Sequence, residues 1–191
     1  MITAKFLSDL KNSYQKNEKE RRQIISASNN LLFEAKKIIF ALQRQEWKLA
    51  EEKIKKLEEE FKSLEKNFSI ERLKKEGAYK AAAEEYYEGK SFYLIIKKKK
   101  IEPTAHINLD YESYLAGICD LIGELVRYAT NQAAKGKFAD VVKIKKTAEE
   151  IMGQLIDFDL TGYLRTKYDQ ARGHLRKLEQ MTYEIKLKTG K

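Results

Sequence analysis

Four acidic residues have the types and spacing best suited to chemistry. In GICDLIGELVR, residues 117–127, Asp120 and Glu124 stand four residues apart inside one of the most apolar stretches of the chain. Upstream, GAYKAAAEEYYEGKSFYLII places Glu85 and Glu88 three residues apart. On a helix turning about 100° per residue, both spacings return a side chain to the same face. Asp120 and Glu124 then share one narrow polar stripe with Ser113, Gly117, Arg127 and Asn131. Opposite lie Tyr111, Leu115, Ile118, Ile122, Leu125, Val126 and Ala129. Gly117 and Gly123 flank the stripe and mark where another backbone could come close. Glu85 and Glu88 project from a face of Ala78, Ala81, Ala82, Gly89, Phe92 and Ile96, whereas Lys80, Glu84, Lys90 and Lys97 lie on the other side. A small, apolar face is the one a bundle turns inward.

Burying a carboxylate without a cation or hydrogen bonds costs on the order of several kcal/mol. Two such pairs on neighbouring helices would gather four carboxylates around one small volume. Oxygen-only donors of this kind suit Mg²⁺, with Mn²⁺ as a substitute, and such ions bind substrate phosphates at the same time. The cation can orient water and stabilise charge developing on a phosphodiester. Two plainer readings stand beside this one. The stripe could be the wet edge of a core helix, or Arg127 or a lysine from another helix could neutralise the cluster.

Other chemistry is thinly represented. Of the two histidines, His106 falls in a proline-containing loop and His174 near the C-terminus, preceded by Ala171 where a di-iron bundle would need Glu. Cys119 lies on the apolar side of its helix and reads as core. No glycine-rich phosphate loop, Ser-His-Asp arrangement or zinc spacing is present.

The elements that must position these acids are helical. The 191 residues contain one proline and nine glycines, and their apolar periodicity is nearly continuous. Helices are expected at roughly 3–43, 45–66, from Ser69 as a cap to about 98, 111–134, 137–157 and 161–188. The first carries Leu7, Leu10 and Tyr14, then Ile24, Ile25, Leu31, Leu32, Ile38, Ile39 and Leu42 on one broad side. The second has a heptad seam of Trp47, Ala50, Ile54, Leu57, Phe61 and Leu64, and the last a similar seam of Leu164, Tyr168, Ala171, Leu175 and Leu178. Breaks occur at KKKKIEPTAHINLD, with Asn108 or Asp110 as the following cap, at AAKGKF and at DFDLTG. The expected fold is all-α: an antiparallel bundle of six to seven long helices in one domain, residues 1–191. The outer seams could serve self-association or pack within the monomer.

A net charge of +9, from 38 basic and 29 acidic residues, favours a polyanionic partner. The single cysteine excludes an intrachain disulfide, and neither a secretory leader nor a run of about 18 apolar residues occurs. A cytoplasmic protein with no membrane segment is the expectation.

The stretch LDYESYLAGICDLIGELVRYATNQAAKGKF, residues 109–138, resembles the signature helix of the translin/TRAX family. There, Tyr-Leu-x-Gly-Val precedes Asp-Leu-x-Gly-Glu-Leu-x-Arg, and an Asn and a Gly follow. YLRTKYDQARGHLRKLEQMTYEIKLK is similar to the closing helix of that family, and EAKKIIFALQR to the Ser-Lys-Arg-x-Ile-Phe-x-Leu-x-Arg stretch of TRAX. The resemblance covers most of the chain in order and is weakest in the second helix. It implies a translin-like fold of seven helices that assembles into hollow octamers binding RNA or single-stranded DNA. It also implies, for TRAX-type subunits, Mg²⁺-dependent endoribonuclease activity from a Glu-x-x-Glu and an Asp-x-x-x-Glu pair. Those patterns fall on Glu85 and Glu88, and on Asp120 and Glu124, so the chain looks like the catalytic type. Translin-type subunits lack a complete set. The loop after Lys98 is short, without the insertion of eukaryotic TRAX, which resembles archaeal members forming homo-octamers.

The resulting expectation is a Mg²⁺-dependent endoribonuclease acting on single-stranded RNA, with Glu85, Glu88, Asp120 and Glu124 holding the metal. Arg127, one turn beyond the acids, is the main candidate for phosphate contact, followed by Arg21 and Arg22. Lys97–Lys100 reads as a solvated helix end. One alternative is a non-catalytic scaffold binding single-stranded nucleic acid. The other is an all-α nucleotide pyrophosphatase of the MazG type, whose Glu-Glu-x-x-Glu matches EEYYE but whose Glu-x-x-Asp has no counterpart here.

Overall fold

The computed structural model describes residues 2–105 and 107–190. Met1, His106 and Lys191 lie outside the described residues, so the reading of His106 has no structural counterpart. Among the described residues seven α-helices follow one another: α1 (Ala4–Gln43), α2 (Trp47–Asn67), α3 (Ile70–Leu73), α4 (Gly77–Ile96), α5 (Tyr111–Ala134), α6 (Phe138–Leu155) and α7 (Gly162–Thr189). A single 3₁₀ turn, Ile156–Phe158, follows α6. No strand is present among the described residues.

Local chemistry accounts for several of the boundaries. The Thr3, Ser69 and Asp110 side chains accept the backbone N–H of Phe6, Arg72 and Ser113, capping α1, α3 and α5. Asp110 is therefore the cap of α5. Asn108 instead donates its backbone N–H and its Nδ2 to the Glu65 carboxylate on α2, at 3.0 and 2.9 Å. At the end of α5, Gly136 takes φ +71° while Lys137 N–H returns to the Gln132 carbonyl at 3.0 Å, a left-handed C-cap.

Three expectations are corrected. The helix expected from Ser69 to about residue 98 is two helices. Glu76 adopts an extended conformation between them and is held by the Arg72 guanidinium at 2.6 Å, so the chain turns before α4 begins at Gly77. In α1, Leu7, Leu10 and Tyr14 do not join the core: they are 51, 50 and 67% exposed, because the apolar face of α1 is buried only from Ile24 onward. Tyr111, expected on the apolar side of α5, is likewise exposed.

The heptad seam of α2 is buried against α1, with Ala50, Ile54, Leu57, Phe61 and Leu64 all in the core. α1 also packs on α4, α4 on α5, and α5 on both α6 and α7. The polar-striped α5 and the Ala-rich α4 are thus adjacent and central. Ala82, Ala83, Tyr86, Tyr87 and Phe92 of α4 and Leu121, Ile122, Leu125 and Ala129 of α5 are buried. Burial of this kind contributes about 25 cal/mol per Å² of apolar surface and fixes the spacing of the two helices.

Gly117 sets how closely they approach. A Cβ there would stand 2.9 Å from the Glu84 carbonyl oxygen and 3.1 Å from the Glu88 amide nitrogen, both backbone atoms of α4. Neither can move without displacing the helix. Gly117→Ala is expected to destabilise the protein by about 1–3 kcal/mol through overpacking, checked by urea unfolding. An unchanged midpoint would mean that the helices separate without penalty.

Candidate active site

Glu85 and Glu88 come from the α4 face that packs on α5, and Asp120 and Glu124 from the α5 stripe that meets it. Glu88 is 8% exposed, at the depth expected of a core side chain. Burial, reinforced by the charges of Glu85, Asp120 and Glu124, pushes its carboxyl up to about 9, and Lys167 is the cation that opposes them. Glu85 is also raised, first by burial and then by Asp120 and Glu124, with Lys36 of α1 and Lys167 pulling the other way. All four acids expected from spacing therefore share one electrostatic neighbourhood.

Each α5 acid is held by a side chain from a different helix. The Lys167 ammonium on α7 donates to Asp120 Oδ2 at 2.5 Å. Gln43, the last residue of α1 and itself buried, donates Nε2 to Glu124 Oε2 at 2.7 Å and to the Glu124 backbone carbonyl at 3.0 Å. Its Oε1 accepts from Asn131 Nδ2 at 3.3 Å, so the polar stripe of α5 is tied to the end of α1. Burial works against the Lys167 charge, but pairing with Asp120, then Tyr163, outweighs it and raises the lysine pKa.

Glu84 belongs to the same network, contrary to its expected place on the solvent side. Its carboxylate accepts from the Tyr163 hydroxyl at 2.6 Å and lies 3.9 Å from Lys167 Nζ. Burial raises it, against the Tyr163 hydrogen bond and the Lys167 charge. Helical spacing alone puts Glu84 on the outer side because α7, which covers that side, is far away in sequence. Lys167 was legible only in part: it keeps helical register with Leu164, Ala171, His174 and Leu178, the buried edge of α7.

Of the two glycines flanking the stripe, Gly117 meets the α4 backbone as expected, whereas Gly123 faces the His174 ring, whose Nε2 would lie 3.3 Å from an added Cβ. Burial and Lys177 hold this imidazole below its ordinary pKa, against the pull of Asp120 and Glu124. Cys119 is buried and its thiol is pushed up to about 12, first by burial and then by Asp120, which fits core and not nucleophile.

The basic candidates separate. Arg127 stands at the edge of the acids, 3.6 Å from Glu124 Oε2, with its guanidinium over the exposed Phe40 ring and its side chain 47% exposed. Arg21 pairs instead with Glu18 at 3.7 Å and with Glu76 at 3.5 Å. Glu76 precedes Glu85 by nine residues, about 13 Å along α4, so Arg21 is not brought to the acids. Arg22 is exposed on that same distant turn.

The donor set fits a hard divalent cation in type: oxygen ligands from two rigid helices, one of them buried without a compensating hydrogen bond. Among the described residues, no three His, Cys, Asp or Glu side chains gather closely enough to hold an ion. The contacts explain the spread, since Lys167 draws Asp120 towards α7 and Gln43 draws Glu124 towards α1.

Comparison with known proteins gives the same picture along the chain. The family model described as Translin family matches residues 19–189. An uncharacterized protein of Methanocaldococcus jannaschii is 32% identical over 98 residues, 49% of this chain and 44% of that one. Translin of Gallus gallus is 28% identical over 82 residues, 42% of this chain and 36% of that one. The aligned stretches thus span less than half of either relative. Among solved structures, apo-NeC3PO superposes with a TM-score of 0.81 at 27% identity, covering 96% of this chain and 97% of that one. The AfC3PO complex with duplex RNA superposes with a TM-score of 0.80 at 22% identity, covering 95% and 96%.

Proposed function

The chain belongs to the translin family, and we propose that it is a Mg²⁺-dependent endoribonuclease of the TRAX-like catalytic type. Glu85, Glu88, Asp120 and Glu124 would hold the ion, with Mn²⁺ as a substitute. The observation that carries this reading is Glu88, a buried carboxyl facing three further acids at the contact of two central helices. A site of that composition is costly unless a cation enters it.

When bound, the ion would supply an oriented water and relieve charge on the phosphodiester. The residues of the chain do the rest. Gln43 holds Glu124 by both its carboxylate and its carbonyl, so the Glu124 side chain keeps one orientation. Arg127, on the Phe40 ring at the edge of the acids, would take a phosphate oxygen of the RNA. The neighbour AfC3PO has been captured with duplex RNA, and a net charge of +9 supports a nucleic-acid partner for this chain. We extend this to single-stranded RNA or DNA and to a homo-octamer. Among the described residues no helix is long and apolar enough to cross a membrane. The family match leaves the MazG-type reading without support.

A second reading, the non-catalytic scaffold, is favoured by the Lys167–Asp120 ion pair, which satisfies one acid without a metal. Labelled single-stranded RNA incubated with Mg²⁺ or with EDTA separates the two. Cleavage confined to Mg²⁺ is the expected result; binding without cleavage under Mg²⁺ and Mn²⁺ alike would leave the scaffold. RNA affinity is expected to fall by at least about tenfold between 50 and 200 mM salt, measured by filter binding. A salt-independent affinity would remove the charge-based account of binding.

A further inference from the structure

Lys167, on α7, pairs with one of the clustered acids and lies close to a second. Its Nζ lies 2.5 Å from Asp120 Oδ2 and 3.9 Å from Glu84 Oε2. Its charge acts on Glu84, Glu85 and Glu88 as well. Its side chain is 19% exposed, on α7, and the Tyr163 ring lies beside it, 5.4 Å from the ammonium to the ring centroid. Tyr163 is half exposed and donates its hydroxyl to Glu84.

On the metal-site reading, two features of this arrangement conflict with a permanent ion pair. Asp120 is one of the four acids expected to hold a divalent ion, and the ammonium occupies its Oδ2, one of the two oxygens it could offer. A metal entering beside the ammonium would also set two like charges together inside a half-buried site, where they are poorly screened. The lysine stem resolves the conflict. It is flexible, its ammonium makes no fixed fork, and the half-exposed Tyr163 ring stands beside it on the side towards solvent.

We propose that Lys167 is a positioning residue, an internal counter-ion that holds Asp120 until a divalent cation displaces it. The inference rests on the metal-site reading of the previous subsection. It makes the ammonium a competitor of the metal, so the metal-free site is stabilised at the expense of metal affinity. Glu84, already engaged by Tyr163, is the carboxylate left to receive the displaced ammonium.

Two measurements test it without reference to RNA cleavage. Mn²⁺ binding is followed by the electron paramagnetic resonance signal of the free ion, for the wild type, Lys167→Met and Lys167→Arg. Lys167→Met is expected to bind at least about tenfold more tightly, the size of a typical coupling between competing ligands. Lys167→Arg, which keeps the charge, is expected to stay near the wild type. The second measurement needs no variant, so a folding defect cannot obscure the answer. Reductive methylation of the wild type, read by mass spectrometry, is expected to modify Lys167 more in Mg²⁺ than in EDTA. Lys146, whose side chain is 78% exposed on α6, serves as the unchanged control. Unchanged or weaker Mn²⁺ binding by Lys167→Met, or Lys167 labelling indifferent to Mg²⁺, overturns the proposal. If the wild type binds Mn²⁺ and cuts RNA under those outcomes, only this inference falls. If the wild type neither binds Mn²⁺ nor cuts RNA, the metal reading falls with it.

Discussion

Asp120→Asn is expected to lower RNA cleavage by about a hundredfold to a thousandfold while leaving RNA affinity within about twofold, on the reasoning that a metal contributes several kcal/mol to transition-state charge stabilisation. Asn keeps the shape of Asp120 and its ability to accept a bond from Lys167, so the helix contact of α4 and α5 is preserved. What it loses is the negative charge, which a hard divalent cation needs and a protein contact does not. Affinity is expected to depend on basic residues such as Arg127, which stands about two turns from Asp120 at the site edge, and it should survive. Single-turnover cleavage with enzyme in excess, together with filter binding of the same RNA, reads the two quantities separately. Cleavage within a few-fold of the wild type would place the chemistry elsewhere. A parallel loss of affinity would mean that Asp120 shapes the binding surface instead.

The second large effect concerns the stability of the metal-free protein. The Glu88 carboxyl has an ordinary value of 4.5 and is pushed up to about 9 in the folded chain by burial, then by Glu85, Asp120 and Glu124. Between those values the folded state holds a proton that the unfolded state has released. Stability from this group is therefore fully present below the unfolded value and declines as pH rises towards 9. Each pH unit in that window is worth at most about 1.4 kcal/mol, so moving from pH 6 to pH 8 in EDTA is expected to cost about 1–3 kcal/mol. Glu88→Gln keeps the volume and removes the ionisation. It should unfold later than the wild type at pH 8 by about 1–3 kcal/mol and show a flatter pH profile. Glu84 and Glu85, also raised by burial, leave a residual slope. Urea unfolding at a series of pH values in EDTA decides the point: a wild-type stability that rises from pH 6 to pH 8 has the wrong sign.

The two predictions draw on different parts of what could be read in the sequence. The acid pairs were legible because helical spacing is a local property, and Glu85, Glu88, Asp120 and Glu124 each needed only their own helix to be placed on a face. The burial of Glu88 and the partial burial of Asp120 followed from company: Ala and Gly beside Glu88, Leu and Ile around Asp120. The heptad seams of α2 and α7 were legible for the same reason. The arm at the start of α1 was misread because amphipathic spacing reveals which face would pack, not whether a neighbour extends far enough to meet it. Leu7, Leu10 and Tyr14 have the pattern and no partner among the described residues. The break at Glu76 was also missed. It depends on Arg72 and on the close packing of α4, and no proline or glycine run announces it before Gly77.

By itself, then, the sequence determined an all-α chain, its main helix boundaries and the four carboxylates on two inward faces. These follow from periodicity, caps and side-chain type, which act within a few residues. Tertiary structure alone decided what those carboxylates touch. Lys167 comes from α7, Gln43 from the end of α1, and Tyr163 reaches back to Glu84, contacts separated by 47, 81 and 79 residues along the chain. The cost of a buried charge depends on the nearest opposite charge in space, and sequence distance carries no information about that. The same four acids could have stood in water or bare in the core. In this fold they stand at the contact of α4 and α5, with the Lys167 ammonium of α7 against Asp120.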